Sequence, residues 1–217
     1  MCLSHSRRQF TLLAASVALF PHAGFATDDS AVRALHGKLD IEKLKNKQRL
    51  KSQSDQAVFR LGGDAFLVDD EFEAEVTTDE AGILTDIAVL SGQALAVIAP
   101  LPNRNTNLLL PNATGSIRGT GFYVNCQKDV PHDYICCCYG HIQFANAPDG
   151  RAQELKNTYH NATIIDENGQ FQPSPYDVPF GHFDDELVML ENQVNRQPHW
   201  QLPDGKMHFI SPRPLPL

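Results

Sequence analysis

The chain is short of several things that would narrow its role quickly. Its only long apolar run, Phe10 to Phe20, is too short to cross a bilayer as a helix, so no stable membrane insertion of the mature chain is expected. Catalytic signatures are missing as well. There is no G-x-S-x-G elbow, no phosphate-binding loop and no H-E-x-x-H. Its 26 acidic residues offer many carboxylate pairs, but no spacing singles one out. The reading is that it is not an enzyme. Basic residues are also few: 18 Lys and Arg against 26 acids give a net charge of −8. A nucleic acid or an anionic membrane needs a basic face, so neither is an expected partner. The five cysteines contain no C-x-x-C pair, which removes the usual dithiol redox motif.

What is present begins with an address label. Arg7-Arg8 precedes the apolar run, which ends at Gly24-Phe25-Ala26, a small-x-small cleavage pattern. Ser6-Arg7-Arg8-Gln9-Phe10 has the form of a twin-arginine export signal, with an ordinary secretory signal as the alternative. Either route predicts cleavage near Ala26 and a mature protein in the periplasm. Losing Arg7 and Arg8 takes the 18 basic residues to 16 and the net charge to −10. The remaining length of about 190 residues suits one domain with a modest core.

Residues 27–55 read as a helical segment. Asp28, Asp29 and Ser30 supply caps, and Val32, Leu35, Leu39 and Leu44 recur near helical spacing. The basic run Lys43 to Lys51 reads as a solvated helix face. From Gln56 the pattern changes to short strands: Ala57 to Leu61, Ala65 to Val68, Phe72 to Val76, Ile83 to Leu90 and Ala94 to Ala99. A turn at Leu90 to Gln93 separates the last two. A strand or two between Arg151 and Ile165 closes a β domain over 56–165. In residues 166–217, Asp184-Asp185-Glu186 opens an amphipathic helix carrying Leu187, Leu190 and Val194, and a proline-rich tail follows from Ser211. The predicted fold class is mainly β, a sandwich or solenoid-type domain flanked by two helical segments.

The centre of the chain is a predicted hairpin, Ser116 to His141. Phe122, Tyr123 and Val124 on one arm and Tyr134 and Ile135 on the other suit a pleated surface, and Gln127 to His132 supplies the turn. Val89 to Val97, followed by Arg118-Gly119-Thr120-x-Phe122-x-Val124, resembles the FecR-type domain over roughly residues 56–145. Gly119 permits a bend, Thr120 can satisfy a local backbone group, and Phe122 and Val124 alternate toward a core. The resemblance implies a non-enzymatic periplasmic β domain that binds, scaffolds or signals through a protein partner. Iron-responsive regulation is the best-known instance in that family. This chain departs from the family plan in two respects. It shows no retained membrane helix, and it adds the block Cys136-Cys137-Cys138-Tyr139-Gly140.

Four cysteines lie on the hairpin: Cys126, Cys136, Cys137 and Cys138. On a strand, Cys136 and Cys138 share a face, and with Cys126 or a histidine they can clamp a soft transition metal such as zinc, copper or iron. His132, His141, His160 and His182 are the available imidazoles, with His160 and His182 preferred. The competing reading is structural, with Cys126 bridged across the hairpin or the thiols buried as small hydrophobes. Strand register decides which face Cys126 takes.

Overall fold

The computed structural model describes residues 32–145, 153–157, 159–176 and 179–198. The Arg7-Arg8 signal with its Ala26 cleavage site, the Asp28 to Ser30 caps and the Ser211 to Leu217 tail lie outside these residues. The first strands are β1 (Arg33–His36), β2 (Leu39–Lys43), β3 (Gln48–Ser52), β4 (Gln56–Leu61), β5 (Asp64–Asp69) and β6 (Glu73–Thr78). The middle of the chain forms β7 (Leu84–Val97), β8 (Thr106–Leu109), β9 (Thr114–Cys126) and β10 (His132–Ala145). The last elements are β11 (Gln153–Asn157), β12 (Asn161–Asp166), β13 (Phe171–Pro173) and the helix α1 (Asp184–Gln193). The mainly-β expectation holds, and all thirteen described strands belong to one open sheet.

Three long strands give the sheet its form. The first part of β7 pairs with β6 and, in parallel, with β8, while Ala94 to Val97 pair with β5 and β9. In the same way β9 passes from β8 to β7, and β10 passes from β12 to β11. Each long strand therefore serves two halves of the sheet. The bends fall at Gly119 (φ +53°) and Gly140 (φ +94°), in a backbone region that side chains avoid. A Cβ on Gly140 would lie 2.4 Å from the Gly119 carbonyl oxygen, so the two bends close on each other. Thr120 locks the crossing. Its hydroxyl donates to backbone carbonyls there, including that of His141 (2.9 Å), and accepts the His141 N–H (3.0 Å).

Both halves feed one core. Leu50, Ala74, Leu108 and Ile142 from one half meet Phe59, Phe66, Phe122 and Ile135 from the other, and the Phe59 and Phe66 rings stack at 4.7 Å. A second apolar cluster of Val58, Ala65, Leu67, Leu95, Val97, Tyr123 and Tyr139 lies on the other face, packed with Leu187, Met189 and Leu190 of α1. The C-terminal amphipathic helix thus forms where its pattern predicts. Glu186 reaches back to the Phe183 N–H (3.0 Å) and caps its start.

The N-terminal helix is corrected. Residues 33–52 form β1, β2 and β3, which pair with β4, with each other and with β6, so position 55 divides nothing within the sheet. These outer strands are largely exposed, and Leu50 alone among their apolar residues is fully buried. With so little burial, alternation is confined to a short stretch, Leu39-Asp40-Ile41-Glu42, and chance spacing imitates a helix. The basic run is corrected with it: Lys47 and Arg49 pair with Glu75 across the β3–β6 ladder. The expected turn at Leu90 to Gln93 is a bend inside the continuous strand β7.

Among the described residues, the Asp64–Arg104 pair is a polar interaction buried deeply enough to carry weight. Asp64 is paired with Arg104 (2.5 and 2.9 Å) and accepts the Ala99 N–H (2.8 Å), with both charged side chains under 10 % exposed (2 % and 7 %). Replacing Arg104 by Leu would leave a buried carboxylate without its cation. We expect a loss of about 3–5 kcal/mol in urea unfolding at neutral pH. A loss below about 1 kcal/mol, the range of an exposed pair, would contradict the assignment.

Candidate metal centre

The register of the β9–β10 hairpin decides where the cysteines point. Cys136 is opposite Tyr123 and Cys137 opposite Phe122, which places Cys137 in the main core and Cys136 in the second cluster. The pairing then slips by one residue between Cys137 and Tyr139, a β-bulge. As a result Cys138 and Tyr139 both join the second cluster, the side that α1 covers.

Cys126 belongs to the other face. It packs in the main core and interacts with Asp133, and burial, followed by the nearby Asp133 carboxylate, pushes its thiol far up. Cys126 therefore leaves the predicted ligand set. Along β9 it is three residues from Tyr123, the partner of Cys136, and four from Phe122, the partner of Cys137, separations of about 10 and 13 Å, both beyond disulfide reach. The Cys126 bridge across the hairpin is thus ruled out by register. All four described cysteines are free and buried.

Cys136 and Cys138 meet two histidines. His160 lies between β11 and β12 with φ +39°, an uncommon conformation held by its N–H donating to the Cys138 carbonyl (2.9 Å). His182 precedes α1 and stacks on Tyr123 at 4.6 Å. Gly181 makes that approach possible, since a Cβ there would lie 2.2 Å from the Tyr123 hydroxyl. The ligand atoms of Cys136, Cys138, His160 and His182 all fall within 4.8 Å of one another. The other two candidate histidines are elsewhere: His132 opens β10, and His141 pairs with Glu154.

The outer hydrogen bonds aim both rings. His182 Nδ1 donates to the Phe180 carbonyl (2.9 Å), which turns Nε2 toward Cys138 Sγ (3.3 Å). His160 Nε2 faces Asp184 (2.9 Å), which turns Nδ1 toward Cys136 Sγ (3.5 Å) and His182 Nε2 (3.3 Å). Asp184 also accepts the Tyr159 hydroxyl (2.9 Å). Such a carboxylate behind an imidazole is the usual outer support of a metal ligand. Read from sequence, Asp184 is helix-start charge. The available hint was its position two residues after His182.

Burial opposes ionisation of Cys136, but the Cys138 hydrogen bond and the two imidazoles outweigh it and hold this thiol well below the ordinary range. Cys138 is pushed well up by burial and by the neighbouring Cys136. His160 rises to about 9: burial works against the proton, but the bonds to Asp184 and Cys136 prevail. A divalent ion would replace the protons that now hold these groups together. Cys136 and His160 also form part of the wall of a cavity of about 490 Å³, with Asn161, Thr163 and Tyr176.

Comparison with known proteins adds little. No protein-family model matches the chain, and no curated protein matches it. Two crystal structures of a "putative anti-sigma factor" from Parabacteroides distasonis, at 2.50 and 1.65 Å resolution, align with 66 % of the chain at 13 % and 14 % identity. The chain spans 60 % and 59 % of their lengths, and the TM-score is 0.38 in both cases, too low to carry functional meaning. Among the described residues, no helix is long and apolar enough to cross a membrane.

The thiol assignment is open to direct count. We expect a chain of residues 27–217, denatured without reductant, to titrate four thiols, and Cys126 and Cys137 to react slowly in the native protein. Two oxidised cysteines would contradict the register.

Proposed function

We propose that this chain is a non-enzymatic, exported metal-binding domain that holds one soft transition-metal ion between Cys136, Cys138, His160 and His182. The carrying observation is the spacing of the ligand atoms. Bonds of about 2.0–2.1 Å to nitrogen and 2.3 Å to sulfur, set tetrahedrally, imply edges of about 3.3 Å between nitrogens and 3.6 Å between nitrogen and sulfur. Three of the six edges come close to this, at 3.3 Å between the two nitrogens and 3.5 and 3.3 Å between nitrogen and sulfur, and all four ligand atoms lie within 4.8 Å of one another. Two thiolates and two imidazoles suit zinc first, with copper(I) or iron as softer or redox-active alternatives. Four protein ligands in a buried site leave no open position for substrate, which favours a structural or regulatory ion over a catalytic one.

The FecR-like segment supports the wider reading. Arg118-Gly119-Thr120 builds the strand crossing, and Phe122 and Val124 enter the core. With the export signal around Arg7-Arg8, this favours a periplasmic module that binds or scaffolds a protein partner. Iron-responsive regulation is one form that role could take.

The test uses protein exported natively and purified without chelators. We expect an N-terminus at Thr27, about one equivalent of metal per chain, and loss of that metal in Cys136→Ala/Cys138→Ala. Cys126→Ala and Cys137→Ala should keep it. Asp184→Asn should weaken binding by about 10–100-fold. Metal absent from the wild type, or retained by the double variant, would sink the proposal.

A further inference from the structure

The ligands come from three separate parts of the chain: strand β10, the connection before β12, and the two-residue lead into α1. The last of these matters most. His182 lies 44 residues after Cys138 and 22 after His160, so an ion at this point ties the start of α1 to the sheet.

The rest of the α1 interface is finely balanced. Three apolar side chains, Leu187, Met189 and Leu190, pack on the second cluster. Against them the helix buries three carboxylates: Asp184 (0 % exposed), Glu186 (1 %) and Glu191 (2 %). Buried carboxylates are tolerated only while their partners stay in place. Glu191 is held at the far end by the Tyr139 hydroxyl and by Arg196 (2.6 Å), which also reaches the Gly63 carbonyl. Asp184 depends on Tyr159 and on His160, itself one of the ligands. The near end of the helix is therefore held through the same side chains that would bind the ion.

We propose that metal occupancy controls the docking of α1, so that loss of the ion frees the helix and uncovers the apolar face formed by Val58, Ala65, Leu67, Leu95 and Val97. This rests on the metal reading above. The uncovered face is shaped for an amphipathic helix, because α1 is what it takes. The remainder of the sheet has its own core between the two halves, to which α1 contributes no residue. Helix release and global unfolding are thus separable events.

Hydrogen exchange read by mass spectrometry on the full mature chain tests this, comparing zinc-loaded protein with chelator-treated protein and with Cys136→Ala/Cys138→Ala. We expect amides of residues 184–193 to exchange about tenfold faster or more without metal, while those of β4, β5 and the Cys126 end of β9 hold their protection. An apolar dye should bind only the metal-free forms. One equivalent of zinc bound with unchanged exchange in α1 would overturn the latch and leave the metal centre standing. Uniform acceleration through every strand would also overturn it, because the ion would then hold the whole fold. Failure to bind zinc at all would remove both the centre and the latch.

Discussion

The one-residue slip in β10 is the constraint on which this molecule turns. A regular strand would send Cys136 and Cys138 to one face and Tyr139 to the other. The bulge instead leaves Cys138 and Tyr139 side by side on the face that α1 covers. Cys138 then meets His182 at the start of the helix, and Tyr139 meets Glu191 near its end. Gly121 takes part, because a Cβ there would collide with the Tyr139 ring at 2.3 Å. One extra residue in one strand thus brings the Tyr139 anchor of the helix onto the face that already carries both thiols.

The physical logic of the cluster follows from its burial. Within the buried cluster, burial works against both charged forms, but the Cys138 hydrogen bond and the imidazoles hold the Cys136 thiol low, and the bonds to Asp184 and Cys136 raise His160. A metal ion bound here would displace the thiol protons and take one lone pair from each of the four side chains. The outer groups, Asp184, Tyr159 and the Phe180 carbonyl, already point the rings the right way. Preorganisation of this kind is what separates a site from a chance gathering of residues.

Much of this was legible in the residues themselves. Alternation marked the central strands, the turn residues marked the hairpin, and the capping and apolar pattern marked α1. Cys136, Cys138, His160 and His182 could be named as candidates, although nothing local says that residues 22 to 46 positions apart meet. The membership of Cys126 depended on register, which alternation alone does not fix. The N-terminal strands were hidden for a different reason. They are exposed outer strands held by backbone pairing and cross-strand charges such as Lys47–Glu75, and the period-two pattern shrinks to Leu39 and Ile41, too short to outweigh the helical spacing of Val32, Leu35, Leu39 and Leu44.

The most direct test of the central claim is X-ray absorption at the metal edge of the natively loaded protein. The account predicts two sulfur neighbours at about 2.3 Å and two imidazole nitrogens at about 2.0–2.1 Å, with no open position. A shell made only of oxygen and nitrogen, with no sulfur, would place any bound ion elsewhere and contradict it.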